Sequence, residues 1–284
     1  MDNRPIGVFD SGLGGLTVLK EIRKILPDEH IVYFGDCGRA PYGVKSPETI
    51  RRFTFQNTRF FLETGVKLLV IACNTSSAHA FKPIADALDF PVVEVIRPGS
   101  ATAARSTKNK KVGVIGTEAT IASRVYENVI REIDPSIEVY VRACPLFVPL
   151  AEEGPRWWNH EAARIITEEY LGGLCETGID CLVLGCTHYP LLSGIIRGVI
   201  GGDIQMISSA QAVAAEVYAT LDKLGMRRAG TQPGPESGVP ACRDITFYTS
   251  DSIEKFKPLC GAILGEPAGA RVFKLDIEKY ESRL

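Results

Sequence analysis

Two segments of the 284-residue chain place a cysteine directly after an apolar run. Cys73 follows "LLVIA", and Cys186 follows "CLVLG". A helix N-terminus or a polar neighbour can lower the pKa of a thiol, so that one thiol and one thiolate can coexist near neutral pH. Two such groups on opposite faces of one carbon could remove a proton from one face and return a proton to the other. That reaction is racemisation.

Uncharged polar side chains beside the two cysteines are suited to holding an amino acid. Their hydroxyl and amide groups can donate to an α-carboxylate and accept from an α-amino group. Asp10 and His188 would make the surroundings of the two thiols chemically different. The uncharged members of this set are Ser11, Asn74, Thr75 and Thr187.

The elements that must position these residues follow a regular alternation. Short apolar runs such as "IGVFD" and "HIVYFGD" alternate with amphipathic stretches such as "TVLKEIRKIL". This pattern predicts an α/β fold with parallel strands that are buried on both faces. Ligands of such open sheets bind at the carboxyl ends of the strands. Asp10, Asp36, Cys73 and Cys186 all stand at predicted strand ends, so we expect them to share one site.

The alternation starts again at "KVGVIGT", and the second half can be laid on the first. "IGVF" matches "VGVI", and "LVIAC" matches "LVLGC" in the same order, which brings Cys73 onto Cys186. Apolar strands match easily between doubly wound domains, but the coincidence of the two cysteine segments is more specific. We predict two similar doubly wound parallel-sheet domains related by pseudo-two-fold symmetry, with the active site in the cleft between them.

Composition excludes several classes of protein. The formal net charge is −2, with 23 % charged and 45 % apolar residues, which does not suggest a nucleic-acid partner. No apolar run approaches the roughly 20 residues of a membrane helix, and the first residues lack a signal peptide pattern. Eight cysteines form no C-x-x-C pair and four histidines no H-x-x-x-H pair, so we expect no metal site. We expect a cytoplasmic protein.

The remainder of the chain is less regular. "DITFYTSD" predicts one more strand and "SIEKFKPLCGAIL" one more helix, which we expect to pack against one of the halves. Residues 226–243 form a Gly/Pro-rich loop in this interpretation, and "PLAEEGPRWWNHE" is interpreted as a loop that carries Glu152.

Two other functions stay open on the residues alone. "DSGLGGLT" partly matches a dinucleotide-binding fingerprint, with Asp36 where a ribose-binding acid would stand, but Thr17 occupies the position of the last glycine. A two-lobed α/β scaffold could also belong to a small-molecule-binding protein, because fold does not dictate function. The paired cysteines favour an enzyme over both.

The sequence resembles the glutamate racemases, cofactor-independent enzymes of the aspartate/glutamate racemase superfamily. The resemblance rests on "PIGVFDSGLGGLTVLKEI", "YFGDCGRAPYG", "LVIACNTSSA", "VGVIGTEATI", "CPLFVPLAEEG", "LGCTHYPLL" and "ISSA". It implies interconversion of L- and D-glutamate and a supply of D-glutamate for peptidoglycan. A related racemase acting on aspartate is the alternative enzyme. The resemblance further implies a homodimer and no cofactor.

The same resemblance implies roles for individual residues. Cys73 would exchange the α-proton of the D-enantiomer, and Cys186 that of the L-enantiomer. Asp10 and His188 would assist them, and Asp36 and Glu152 would lie in or near the site. The implied substrate-binding residues are Asp10, Ser11, Tyr42, Gly43, Asn74, Thr75, Thr187 and His188. In the family's architecture the C-terminal segment returns to the first domain, which predicts domains 1–97 plus 208–284 and 98–207.

Overall fold

The computed structural model describes residues 2–228, 245–269 and 271–282. Its strands belong to two sheets in which every neighbouring pair is parallel. In chain order they are β1 (Ile6–Asp10), β2 (Ile31–Gly35), β3 (Leu68–Ile71), β4 (Val92–Glu94), β5 (Lys111–Gly116), β6 (Glu138–Ala143), β7 (Cys181–Gly185), β8 (Gln205–Ser208), β9 (Ile245–Thr249) and β10 (Val272–Lys274).

Helices connect these strands, as parallel neighbours require. In chain order the α-helices are α1 (Leu16–Ile25), α2 (Pro47–Thr64), α3 (Asn74–Ala87), α4 (Ile96–Ser106), α5 (Glu118–Ala122), α6 (Val125–Ile133), α7 (Phe147–Glu152), α8 (Pro155–Trp158), α9 (Glu161–Cys175), α10 (Ser193–Ile200), α11 (Ser209–Lys223) and α12 (Ile253–Leu264). Short 3₁₀ turns cover Cys37–Arg39, Tyr42–Val44, Tyr189–Leu192 and Ile277–Lys279.

The two sheets repeat one strand order. The first runs β10-β9-β2-β1-β3-β4 and the second β6-β5-β7-β8, so the order β2-β1-β3-β4 recurs in the second half. The predicted α/β class with two similar parallel-sheet units is therefore confirmed. Strands β1, β3 and β7 are buried along their whole length, because helices cover both faces of each sheet.

Strand register brings the polar strand ends to common edges. Phe9 of β1 lies opposite Ile71 of β3, so Asp10 and the residues after β3 leave the first sheet at the same edge. Gly116 of β5 lies opposite Gly185 of β7, so Thr117 and Cys186 leave the second sheet side by side. The residues predicted to form the site thus lie at the sheet edges where ligands of α/β folds bind.

The C-terminal part of the chain extends the first sheet. β9 pairs with β2 and β10 pairs with β9, which confirms the additional strand predicted from "DITFYTSD" for Ile245–Thr249. α12 follows it as predicted. Of the predicted Gly/Pro-rich loop, residues 229–243 lie outside the described residues. The predicted boundary between residues 97 and 98 falls inside α4, and the division into domains stays a prediction.

One apolar core runs through both halves. Val8 of β1, Val114 of β5 and Val217 of α11 belong to the same cluster of buried side chains. The two sheets are therefore held together by continuous packing as well as by the contacts of the site. Within the described ranges, no helix is both long and apolar enough to cross a membrane.

Candidate active site

Cys73 lies between β3 and α3, where it caps the helix. Its Sγ atom accepts a hydrogen bond from the backbone N–H of Ser76 at 3.5 Å and donates to Ser11 Oγ at 3.5 Å. The residue is only 4 % exposed. Burial, and next the negative charge of Asp10, raise the pKa of the Cys73 thiol to about 11. In this arrangement Cys73 is therefore protonated at neutral pH.

Cys186 follows β7 and lies beside an imidazole. Its Sγ atom is 3.7 Å from Nδ1 of His188, and Nε2 of His188 is 3.0 Å from Oε1 of Glu152. Burial opposes the charged form of His188, but the contacts with Cys186 and Glu152 outweigh it and raise the pKa of His188 well above its usual range. A cationic imidazole has a proton on each ring nitrogen, so His188 can donate to both neighbours.

Glu152 is the last residue of α7, so the prediction of a loop around it is wrong. Phe147–Glu152 and Pro155–Trp158 are both helical, with only a short turn between them. Desolvation would raise the pKa of Glu152, yet the hydrogen bond and charge of His188 lower it below its usual range. Glu152 is therefore an anion that stabilises the imidazolium.

Asp10 joins the two cysteine segments. Its Oδ2 atom accepts from the backbone N–H of Gly12 at 3.0 Å, and its Oδ1 atom accepts from Thr187 Oγ1 at 3.1 Å. Full burial raises its pKa, although the charge of His188 and the hydrogen bonds work against that shift. The end of β1 thus contacts the Cys186 side through Asp10, and the loop after it contacts the Cys73 side through Ser11.

The same loop is packed so tightly that glycine is required. A Cβ atom at Gly14 would lie 2.3 Å from Thr187 Oγ1 and 2.5 Å from Nδ1 of His188. A Cβ atom at Gly12 would lie 2.9 Å from Oε1 of Glu152. These short distances account for Gly12 and Gly14 of "DSGLGG" without a dinucleotide-binding role. The backbone of the loop has to pass directly over the Cys186 segment, and a side chain there would collide with it.

Three threonine hydroxyls meet across the two halves. Thr75 Oγ1 is 2.9 Å from Thr117 Oγ1 and 3.2 Å from Thr120 Oγ1. Thr117 also packs against the Tyr42-Gly43 turn, since a Cβ atom at Gly43 would lie 2.4 Å from its Cβ. Sequence reasoning missed Thr117 and Thr120. The sequence did contain a signal for Thr117, because this hydroxyl residue directly follows the apolar run of β5, as Ser11 directly follows that of β1.

Asn74 also makes a contact between the halves. Its Oδ1 atom accepts a hydrogen bond from the Tyr126 hydroxyl of α6 at 2.7 Å. Its Nδ2 atom is buried and has no hydrogen-bond partner among the described residues. Tyr126 was not predicted to take part, because nothing in the local pattern of α6 distinguishes it from an apolar core residue.

Asp36 and Tyr42 contact each other. The Tyr42 hydroxyl donates to Oδ2 of Asp36, which also accepts from Arg39 Nε at 2.7 Å. Oδ1 of Asp36 accepts from Ser250 Oγ at 2.7 Å, and Asn57 Nδ2 donates to the Tyr42 hydroxyl at 3.0 Å. Both residues are fully buried, and Tyr42 packs in one apolar cluster with Cys73. The structure therefore ties Asp36 to the Tyr42 turn.

Comparisons with known proteins give a consistent result. The model of the family described as Asp/Glu/Hydantoin racemase matches residues 6–217. A curated glutamate racemase from Geobacter metallireducens is 52 % identical over 218 residues, 77 % of this chain and 80 % of that protein. Among solved structures, a glutamate racemase isoform from Bacillus anthracis superposes with a TM-score of 0.88 at 36 % identity, covering 97 % of this chain and 98 % of that one. Glutamate racemase from Francisella tularensis, in complex with D-glutamate, has a TM-score of 0.87 at 35 % identity, over 99 % and 100 % of the chains.

Proposed function

The chain belongs to the Asp/Glu/Hydantoin racemase family, and from this premise we propose that it interconverts L-glutamate and D-glutamate without a cofactor. The observation that carries the proposal is the pair of buried cysteines at corresponding strand ends. Cys73 contacts Ser11, and Thr187, the neighbour of Cys186, contacts Asp10, so the end of β1 and the residue after it reach both cysteine segments. Glutamate is favoured over aspartate because the relatives at 52 % and 36 % identity are glutamate racemases.

Cys73 and Cys186 are the proposed proton-transfer groups. In one direction the Cys73 thiolate removes the α-proton of D-glutamate, and the Cys186 thiol gives its proton to the opposite face of the planar carbanion. L-Glutamate is formed, Cys73 becomes a thiol and Cys186 a thiolate, and the reverse reaction starts from that form. No atom is gained or lost, because one proton leaves the carbon and another replaces it.

The unlike surroundings of the two thiols support an assignment of the form seen here. Burial and Asp10 keep Cys73 protonated, whereas Cys186 lies against a cationic imidazole. We therefore assign this arrangement to the form that accepts L-glutamate, with Cys186 as base and Cys73 as acid. In the form that accepts D-glutamate, Cys186 must carry a proton, so its contact with His188 must change.

The polar residues around the thiols are the proposed substrate site. Hydroxyl, amide and backbone groups would hold the two carboxylates and the amino group, and His188 and Glu152 would balance charge during proton transfer. Asp36 stays among the proposed site residues, and its contacts support an action through the Tyr42 turn. The proposed substrate-binding residues are Asp10, Ser11, Tyr42, Gly43, Asn74, Thr75, Thr187 and His188.

The cellular role follows from the product. We propose that D-glutamate made by this enzyme is used in peptidoglycan synthesis, that the enzyme acts in the cytoplasm as a homodimer, and that it needs no nucleic acid. No disulfide joins the cysteines within the described residues, which fits a reducing compartment. Light scattering of the purified protein tests the dimer, and a monomer at working concentration would contradict it.

Circular dichroism of each glutamate enantiomer incubated with the protein tests the activity. We expect the signal of L-glutamate and that of D-glutamate to decay to zero, because the equilibrium mixture is racemic. L-Aspartate in the same assay distinguishes the alternative enzyme. Calorimetric binding of glutamate without any decay of its signal would instead support the alternative of a two-lobed binding protein.

A further inference from the structure

Tyr126 lies between the two halves with its ring against the strand that leads to Cys186. The residue is 2 % exposed. A Cβ atom at Gly185 would lie 3.1 Å from Tyr126 Cε2, and a Cβ atom at Gly99 would lie 3.9 Å from its hydroxyl oxygen. Gly185 therefore makes room for this ring, and it immediately precedes Cys186.

The hydroxyl of Tyr126 reaches the other cysteine segment. It donates to Oδ1 of Asn74 at 2.7 Å, and Asn74 immediately follows Cys73. One side chain thus contacts the residue before Cys186 and the residue after Cys73. Burial, and next the charges of Glu94 and Cys186, raise the pKa of Tyr126 well above its usual range, so the hydroxyl stays a donor at working pH.

The Tyr126 contact decides which way the Asn74 amide points. The amide group is planar, so a bond that holds Oδ1 against Tyr126 also holds Nδ2 on the opposite side. That Nδ2 atom is buried and has no partner among the residues that the structure describes. A buried donor without a partner is costly unless a ligand supplies an acceptor, and a carboxylate oxygen is a strong one.

We propose that Tyr126 is a positioning residue, which orients the Asn74 amide so that Nδ2 donates to a carboxylate oxygen of the bound amino acid. This inference rests on the proposed racemase function, because it requires a substrate between the two cysteine segments. Without the hydroxyl the amide can rotate, and the substrate loses a fixed donor next to Cys73. Tyr126 itself need not touch the substrate.

A double-mutant cycle with Y126F and N74A tests this proposal. Y126F keeps the ring against Gly185 and removes only the hydroxyl. We expect it to lower kcat/KM for both glutamate enantiomers about ten-fold, mainly through a higher KM, as for loss of one hydrogen bond to a charged group. In the N74A background the same change should have almost no further effect, because two residues that act through one contact are not additive.

Y140F is the matched control, because the Tyr140 hydroxyl also donates to a side chain, Glu138, but at the surface of the second half. It should leave both kinetic constants unchanged. A purely structural role of Tyr126 would lower the active fraction and therefore kcat, with KM unaltered. Effects of Y126F and N74A that simply add would overturn the inference, as would an unchanged KM in Y126F.

N74D provides a second test that does not depend on the stability of Y126F. It keeps the Oδ1 acceptor for Tyr126 but replaces the Nδ2 donor with an oxygen that repels a carboxylate. We expect a KM at least ten-fold higher for the folded fraction of this variant, and an unchanged KM would contradict the proposal. If wild-type protein racemises no glutamate, the proposed function itself fails, which is a different outcome from additivity in an active enzyme.

Discussion

Glu152 Oε1 lies 3.0 Å from Nε2 of His188, so a carboxylate at the end of α7 holds the imidazole whose other nitrogen is 3.7 Å from Cys186. Because His188 is buried, its cation would be unfavourable without this partner. The surroundings of Cys186 therefore differ from those of Cys73, which lies against a serine hydroxyl and a helix N-terminus.

Replacing Glu152 by Gln should lower the pKa of His188 and weaken the reaction from L-glutamate. We expect kcat for L-glutamate to fall about ten-fold or more and the alkaline limb of its pH profile to move to lower pH, because the imidazolium is lost earlier as pH rises. Steady-state kinetics across pH measure both effects. E153Q, at the exposed neighbouring position, should leave the profile unchanged, and an unmoved limb in E152Q would contradict the assigned role.

Replacing Cys73 or Cys186 by Ser should nearly abolish racemisation, by about a thousand-fold or more, because a hydroxyl is a far weaker acid than a thiol and is not ionised near neutral pH. The loss is measured by circular dichroism of both enantiomers. C175S is the matched control, since Cys175 lies at the end of α9, and changes at Cys144, Cys181 or Cys260 should mainly affect stability. Racemisation by C186S at the wild-type rate would exclude the two-thiol mechanism.

Replacing Gly14 by Ala should disrupt the site, because the new Cβ atom would lie 2.3 Å from Thr187 Oγ1. We expect a loss of about 2 kcal/mol or more in the free energy of unfolding, or a displaced Cys186 segment with much reduced kcat. Denaturant unfolding and kinetics together measure the change. G198A, in α10 with no atom near the new Cβ, should instead leave activity intact and stabilise the helix slightly.

The stability of the fold should depend on pH through His188. Its pKa is higher in the folded protein than the value of about 6.5 in an unfolded chain, so the folded state binds more protons. The contribution is fully present below about pH 6.5 and is lost as pH rises through the folded pKa. The difference in unfolding free energy between wild type and H188N should therefore shrink at alkaline pH. A difference that grows with pH would contradict this coupling.

Replacing Asp36 by Asn distinguishes a direct role from an action through Tyr42. If Asp36 acts by holding the turn, Y42F and D36N should each raise KM for glutamate by about ten-fold, and the double variant should be no worse than D36N alone. The kinetic constants of the three variants provide the measurement. A large loss of kcat in D36N with normal kinetics in Y42F would instead support direct participation in proton transfer.

Local properties of the chain determined the fold class and the main proposed site residues. Each apolar run predicts its own strand, and Cys73 and Cys186 are recognised because they directly follow such runs. The matching order of the two halves appears in the sequence for the same reason, and the structure repeats it as one strand order. The sequence does not predict the helical form of Phe147–Glu152, because "PLAEEGP" combines two prolines and a glycine, which usually mark a loop.

The contacts between the halves were decided only by the tertiary structure. The hydrogen bonds of Thr75 with Thr117 and of Tyr126 with Asn74 join residues that are far apart in the sequence. The pairing of Asp36 with Arg39 and Tyr42 likewise depends on side-chain directions in a compact turn. A residue's type and its place in a strand are local properties, whereas its partner depends on how two complete sheets pack.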